Sequence, residues 1–355
     1  MKRLRPQRPS FRTWLTIITS LLLVGVIIGA WPEIVKAWGL LDQVNIWILA
    51  LMIPVQLFSY YATGAMIFSY LRRKGDIAGL SHWRTTRLAL ELNFVNHILP
   101  SGGAAGFSYL AWVLHRYKVT VARSTMAQIL RFTLTFVSFV MLLVISIIVL
   151  TINEHIDRST VFIGIGLTLL VVVTMTLVIW LLHNRRRLDR FSSWLEHSLN
   201  RLVKWASRGK KRKALENSSL VNFFDGIHDD YLAIRRERKL LLAPYVWATV
   251  ANMADAALLW IAFWSLGFSV EPALLFIAFG VASVVSVVTV TPGGAGVYET
   301  VMVLFLSTSG VPVDVAIAGT LLARVVLVLG TIVFGYVFYQ MTITQYGKRP
   351  PLKDE

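Results

Sequence analysis

The sequence predicts an all-α polytopic membrane protein with six full spans, two broken or re-entrant helical hairpins and an inverted pseudo-repeat. Three observations lead to this fold class. Of the 355 residues, 56% are hydrophobic and only 15% are charged, whereas soluble domains carry roughly 25% charged residues. Six apolar runs are long enough to cross a bilayer. Two further apolar regions are interrupted by motifs rich in glycine and proline.

The six uninterrupted runs are the candidate membrane spans. Each holds about 18 or more predominantly apolar residues, close to the length that a helix needs to cross a bilayer. The first follows a basic N-terminal segment and lacks a small-residue cleavage site, so we expect an uncleaved span. The runs cover residues 13–30, 44–71, 128–151, 160–182, 240–266 and 315–340.

Two more apolar regions, residues 88–114 and 273–309, are broken near their middles. The breaks read Pro-Ser-Gly-Gly-Ala-Ala-Gly at 100–106 and Pro-Gly-Gly-Ala-Gly-Val-Tyr-Glu at 292–299. Proline removes a backbone donor and glycine relaxes the steric limits on φ and ψ, so a regular helix should not continue. Irregular backbone survives at membrane depth only inside protein or beside a wet cavity. We therefore expect two re-entrant hairpins, the first with short legs of about 18 Å and the second with a longer first leg of about 28 Å.

The basic residues are distributed asymmetrically. If each interrupted region makes a round trip, 31 of the 35 Lys and Arg residues lie on the side of the N-terminus, and only Lys36 and Arg158 lie opposite. This bias predicts a multi-pass protein of the cytoplasmic (inner) membrane with both termini in the cytoplasm. It also explains the net charge of +16 without nucleic acid, because the basic segments face anionic lipid.

The order span, span, hairpin, span occurs twice and starts on opposite sides of the membrane, which predicts an inverted repeat. Arg131 follows Pro100 by 31 residues, and Arg324 follows Pro292 by 32. Inverted repeats with paired broken helices are typical of transporters, with the site near the midplane. The first predicted repeat covers 1–151, with its hairpin at 88–114. The second repeat starts at 152–182 and, after a basic cytoplasmic linker at 183–239, continues at 240–340 with its hairpin at 273–309. A cytoplasmic tail follows at 341–355.

The linker has two open interpretations. It is either a solvated segment that fixes topology or, around residues 191–206, an amphipathic helix on the lipid surface, where tryptophan and basic residues are favourable.

Arg131 and Arg324 lie inside apolar runs and are the strongest candidates for substrate binding. A central arginine costs at least ~2.5 kcal/mol to insert and usually faces the bundle interior. There its planar fork suits phosphate or carboxylate oxygens. The alternative is a structural ion pair with Asp255 or Glu299. Glu299 could cap the helix after the glycines or, like Asp255, carry a proton or bind a cationic head group.

The other site candidates lie on the interrupted regions. Asn96 and His97 precede the first break, although a lone histidine is more often structural than a ligand. Free backbone amides in a glycine-rich turn bind anions. The glycines concerned are Gly102, Gly103, Gly293, Gly294 and Gly296.

The sequence contains no cysteine and no motif for nucleotide binding, serine hydrolysis or zinc proteolysis. We therefore expect no catalytic residue, no metal, no cofactor and no ATP-driven pump within this chain.

The motif from Pro292 to Glu299 resembles the P-G-G-x-G-x-x-E signature of the lysylphosphatidylglycerol synthase transmembrane-region family of flippase-like proteins. Residues 96–106 are similar to the N-x-x-x-P hairpin of that family. Arg324 and Gly330 resemble the arginine and glycine of its last helix. One departure is that Arg131 lies between a leucine and a phenylalanine, where family members often carry an acid.

The resemblance covers residues 10–340 and implies translocation of a polar or phospho-lipid, with membrane lipids as partners and proton or ion coupling as an option. The short tail at 341–355 leads us to expect no aminoacyl-transferase domain and no enzyme. Three alternatives stay open: a secondary transporter of a small anionic solute, an enzyme acting on lipid-linked substrates, and a non-catalytic accessory protein of cell-envelope lipid synthesis.

Overall fold

The computed structural model describes residues 28, 35, 44–77, 79–98, 104–152, 158–206, 217–287 and 296–346. Over these residues the chain is helical and contains no β-strand, which confirms the all-α class. Its α-helices are α1 (Ile46–Ala50), α2 (Met52–Arg73), α3 (His82–Ile98), α4 (Ala104–His115), α5 (Val121–Ile152), α6 (Arg158–His183), α7 (Arg185–Ala206), α8 (Asn217–Arg236), α9 (Leu242–Ser265), α10 (Pro272–Val287), α11 (Val297–Thr308) and α12 (Val313–Tyr346).

Five segments of the described chain are long and apolar enough to cross a membrane. Each overlaps one predicted run, because a helix of about 20 apolar residues is what satisfies the backbone inside a bilayer. The predicted span at 13–30 lies outside the described residues apart from Ile28. The five segments are Ile46–Arg73, Val121–Ile152, Phe162–His183, Arg238–Ser265 and Val313–Gln345.

Each interrupted region forms a pair of helices on either side of its break. The first pair, α3 and α4, has 17 and 12 residues, and the second, α10 and α11, has 16 and 12. The expectation of a short first leg of about 18 Å in the first region is wrong, because the 17 residues of α3 correspond to about 25 Å. The first leg expected for the second region includes residues 288–291, which lie outside the described part. Within the first pair the helices fold back on each other, since Asn96 abuts Gly106 and the Tyr109 hydroxyl donates to Glu91 at 2.5 Å.

The helix contacts follow a regular pattern. Exchanging α2 with α9, α3 with α10, α4 with α11 and α5 with α12 converts observed contacts into other observed contacts. For example, α3 packs on α12 and α10 packs on α5, so each helical pair contacts the long helix of the opposite half. The exchange partners α2 and α9 pack against each other at the centre of the bundle.

Polar side chains join the central helices to one another. Ser59 on α2 donates to Asp255 on α9 at 2.6 Å, and Asn252 on α9 donates to the Thr135 carbonyl oxygen on α5 at 2.9 Å. Ser138 on α5 also donates to the Thr249 hydroxyl at 3.0 Å. Because every polar group in hydrocarbon needs a partner, such bonds fix the helix positions as well as their register.

The described residues between 183 and 239 include two helices, α7 and α8. The predicted amphipathic segment lies within α7, where the Phe191 and Trp194 rings stack and Trp194 is exposed. Helix α8 packs on α5 and α6, and Ile227 is buried in a core cluster with residues of α2 and α3. Burial raises the pKa of the Asp230 carboxyl, and the nearby Arg123 opposes that rise.

Candidate functional site

Glu299 forms the first half of the site at the start of α11. Its Oε1 lies 2.8 Å from Arg324 Nε on α12, and its Oε2 accepts the Gly296 N–H at 2.6 Å. Gly296 has φ of 86°, a left-handed conformation that glycine adopts without strain. The Arg324 guanidinium also lies 5.0 Å from the centre of the Tyr298 ring. Glu299 is therefore a helix cap and a counter-ion at the same time.

Arg131 forms the second half of the site on α5. Its side chain is buried, and the guanidinium lies 4.5 Å from the centre of the neighbouring Phe132 ring. No carboxylate among the described residues makes a salt bridge with it, and its Nε has no hydrogen-bond partner there. Gln128, one turn earlier, is also buried with both amide atoms unpartnered in the described chain. The two arginines thus sit in different environments.

His97 connects the two halves. It lies at the end of α3, and its Nδ1 donates to the Asn93 carbonyl oxygen at 2.8 Å. The guanidinium groups of both Arg131 and Arg324 interact electrostatically with the His97 ring. His97 is therefore close enough to feel the charge of both arginines, one on each of the long helices that follow the interrupted regions.

Asp255 lies on α9 beside the same region. Ser59 donates to its Oδ1 at 2.6 Å, and it interacts electrostatically with Tyr298 and Tyr60. It makes no salt bridge with Arg324, whose acidic partner is Glu299. Of the two ion pairs that the sequence allowed for Arg324, the structure contains the one with Glu299.

The predicted glycines are only partly described. Gly296 precedes α11 and donates to Glu299. Gly102, Gly103, Gly293 and Gly294 lie outside the described residues. Asn96 is described and packs against Gly106, where an added Cβ would meet its Oδ1.

A second polar cluster was not predicted as a site. Glu91 on α3 is fully buried, and it accepts from Arg87 Nε at 2.9 Å, the Thr342 hydroxyl at 2.7 Å and the Tyr109 hydroxyl at 2.5 Å. These bonds tie α3 to α4 and to the end of α12. The only sequence signal was the four-residue spacing of Arg87 and Glu91, which suits an ion pair on one helix face.

A third cluster binds α2 to α12 next to the site. Gln56 donates to the Tyr60 hydroxyl at 2.6 Å and to the Leu327 carbonyl oxygen at 2.8 Å, and Tyr60 is hydrogen-bonded to Thr331. Gly330 makes the approach possible, because a Cβ there would overlap the Gln56 amide. Within the described residues no group of three His, Asp or Glu side chains could hold a metal ion.

Comparison with known proteins gives two findings. Residues 17–335 match the family described as the lysylphosphatidylglycerol synthase TM region. The chain is also 21% identical, over 237 residues, to a UPF0104 membrane protein of Methanothermobacter thermautotrophicus, with 65% of this chain and 67% of that protein aligned.

Proposed function

The chain belongs to the lysylphosphatidylglycerol synthase transmembrane-region family, as its motifs predicted, and from that premise we propose that it translocates a polar or phospho-lipid across the cytoplasmic membrane. The observation that carries this proposal is that Arg131 and the paired Arg324 and Glu299 lie in apolar helices, and that both arginines act electrostatically on His97. Charged side chains at membrane depth are costly, and they mark substrate or ion pathways in membrane proteins.

The lengths of α4 and α11, the second helix of each pair, support re-entrant hairpins. Helices α4 and α11 each have 12 residues, which corresponds to about 18 Å and is shorter than the ~30 Å hydrocarbon core. A helix of that length returns from partway through the membrane. The two breaks then bring irregular backbone close to the midplane, where transporters of this kind bind substrate.

The exchange of helix contacts supports an inverted repeat. Each helical pair packs on the long helix of the other half, so a shift of one half changes the contacts of the other. We propose that such a shift exposes the site first to one leaflet and then to the other. The acyl chains stay in the bilayer while the head group crosses through the protein.

The proposed binding roles of the side chains follow from their charges. The arginines supply positive charge for the phosphate of the head group. Asp255 and Glu299 supply carboxylates that bind a cationic group or carry protons. The backbone amides at Gly102, Gly103, Gly293, Gly294 and Gly296 would add hydrogen-bond donors to anionic oxygens. The bias of basic residues supports cytoplasmic termini.

Reconstitution tests this function. Purified protein in liposomes, with fluorescent phospholipids and a membrane-impermeant quencher, should move lipid between leaflets faster than empty liposomes. Replacing both Arg131 and Arg324 with Gln should slow this movement by about 100-fold, the upper value of hydrogen bonds to charged groups. Thr176→Val on lipid-exposed α6 is the matched control, because its hydroxyl bonds only within its own helix.

Two results would contradict the proposal. Wild-type protein that moves none of a panel of anionic and zwitterionic lipids, with or without a proton gradient, would refute lipid translocation. Uptake of a water-soluble anion without lipid movement would support a small-solute transporter instead.

A further inference from the structure

The two intramembrane arginines differ in how their charge is balanced. The charge of Arg324 is balanced inside the protein by Glu299, at 2.8 Å. Among the described residues Arg131 has no acidic partner and no carboxylate that acts on it electrostatically. The second helical pair provides a carboxylate for Arg324, whereas the described residues of the first pair provide none for Arg131. The two arginines nevertheless follow their prolines at almost the same spacing.

The side chains at the two breaks cannot supply a negative charge to balance Arg131. Residues 99–103 are Leu-Pro-Ser-Gly-Gly, and residues 288–295 are Val-Thr-Val-Thr-Pro-Gly-Gly-Ala. Neither stretch contains an aspartate or a glutamate. An uncompensated buried charge is strongly unfavourable, so binding of an anionic ligand at Arg131 would be favourable.

Gln128 is a second buried polar side chain next to Arg131. Gln128 is 1% exposed and Arg131 is 8% exposed. Residues three apart share one helix face, so these two side chains neighbour each other on α5. The donors Gln128 Nε2 and Arg131 Nε lack hydrogen-bond partners in the described chain. Buried polar atoms are nearly always paired in native proteins, and two neighbouring unpaired donors indicate a ligand that pairs them.

We infer that Gln128 and Arg131 form the anion site of this protein and that its ligand is the singly charged phosphodiester of a lipid head group. This assignment rests on the proposed lipid translocation. A guanidinium binds two phosphate oxygens with parallel N–H bonds. The Gln128 amide N–H would donate a third hydrogen bond to a phosphate oxygen. One positive charge matches one negative charge, so a phosphodiester fits better than a doubly charged phosphomonoester. Arg131 is therefore the main contact of the phosphate, and Arg324, whose charge Glu299 already balances, contributes less to binding.

Ligand-dependent thermal stabilisation of the purified full chain in an uncharged detergent tests this site without requiring transport. The probes are short-chain phosphatidylglycerol, the matching diacylglycerol, glycerol 3-phosphate and inorganic phosphate. Phosphatidylglycerol should stabilise the wild type, and diacylglycerol should not. Arg131→Gln should raise the apparent dissociation constant by about ten- to hundredfold, the value of a hydrogen bond to a charged group.

Two matched variants keep the test decisive if Arg131→Gln folds poorly. Gln128→Glu is nearly isosteric and gives Arg131 an internal counter-ion, so it should abolish lipid binding while raising the stability of the unliganded protein. Arg324→Gln should raise the apparent dissociation constant for phosphatidylglycerol less than Arg131→Gln does, because Glu299 already balances Arg324. Thr176→Val on α6, the control used above, should preserve binding within about threefold.

The outcomes separate this inference from the proposed function. Equal losses for the Arg131 and Arg324 variants, or undiminished binding in Gln128→Glu, would overturn the unequal assignment. Stabilisation by inorganic phosphate or glycerol 3-phosphate but not by phosphatidylglycerol would support an anion site for a free phosphate and contradict the lipid ligand. Lipid binding at Arg131 in a protein that moves no lipid would support the site and refute translocation.

Discussion

At the scale of single residues, Glu299 shows how one side chain serves the backbone and the site together. One carboxylate oxygen satisfies the Gly296 N–H, a donor that the first turn of a helix leaves unpaired. The other oxygen holds Arg324, and the exposures of the two side chains are only 14% and 18%. The sequence left open whether Glu299 caps a helix, pairs with Arg324 or binds a proton or a cationic head group. The structure contains both the cap and the ion pair, and the third role stays a prediction.

These two contributions of Glu299 can be separated by substitution. Glu299→Gln keeps an oxygen for the Gly296 N–H but removes the charge, whereas Glu299→Ala removes both. We expect Gln to lower the free energy of unfolding by about 1–3 kcal/mol, because it leaves Arg324 half-buried without its acid. Alanine should cost about 1 kcal/mol more, the usual value of a helix cap. Unfolding in mixed detergent micelles measures both, and equal stability of the two variants would show that the cap contributes nothing.

At the scale of helices, two helices can pack closely where a glycine on one faces the backbone or Cβ atoms of the other. A Cβ at Gly335 on α12 would lie 2.4 Å from Phe94 Cβ and 3.1 Å from the Leu90 carbonyl oxygen on α3. Neither atom is at the end of a flexible side chain, so the helices themselves would have to separate. The Glu91–Thr342 hydrogen bond, two turns further along α12, holds the same two helices together.

Gly335→Ala is therefore expected to lower the free energy of unfolding by about 1–3 kcal/mol, the cost of overpacking a well-packed interface. Gly166 on α6 is the matched control, because a Cβ there would have no neighbour within 4 Å. Gly166→Ala should raise stability by about 0.5–1 kcal/mol through the helix preference of alanine. Opposite signs for the two substitutions would confirm the contact between α3 and α12. A neutral Gly335→Ala would contradict it.

At the scale of the whole molecule, the sequence predicted the features that depend on composition and spacing. Apolar run lengths predicted the five spanning segments, and proline with glycine predicted both breaks. The acid after the glycines made an ion pair between Glu299 and Arg324 one of the options. These signals are local, because a helix in lipid must satisfy its own backbone.

Features that depend on distant partners could not be predicted. Glu91 is bonded to Thr342, 251 residues away, and nothing around either residue indicates the other. The different surroundings of Arg131 and Arg324 arise from tertiary packing, although their spacing from the two prolines is almost the same. Helix α8 was missed because its apolar face covers α5 and α6 rather than lipid, so its composition is that of an ordinary amphipathic helix.

The proposed round trip of both helical pairs makes a prediction about which loops face the cytoplasm. If each helical pair makes a round trip, Gly79 and Lys118 lie on the cytoplasmic side, and Ser269 and Asp314 lie on the opposite side. All four positions are outside the spanning segments or at their first turn, and the chain contains no native cysteine. Single cysteines at these positions, treated with a membrane-impermeant maleimide on intact cells, should label at 269 and 314 only. All four should label after permeabilisation, while the unmodified chain stays unlabelled. Labelling of 79 and 118 from opposite sides would mean that α3 and α4 cross together as one broken span. In that case the two halves would no longer be inverted, and a shared site between two opposed hairpins could not form.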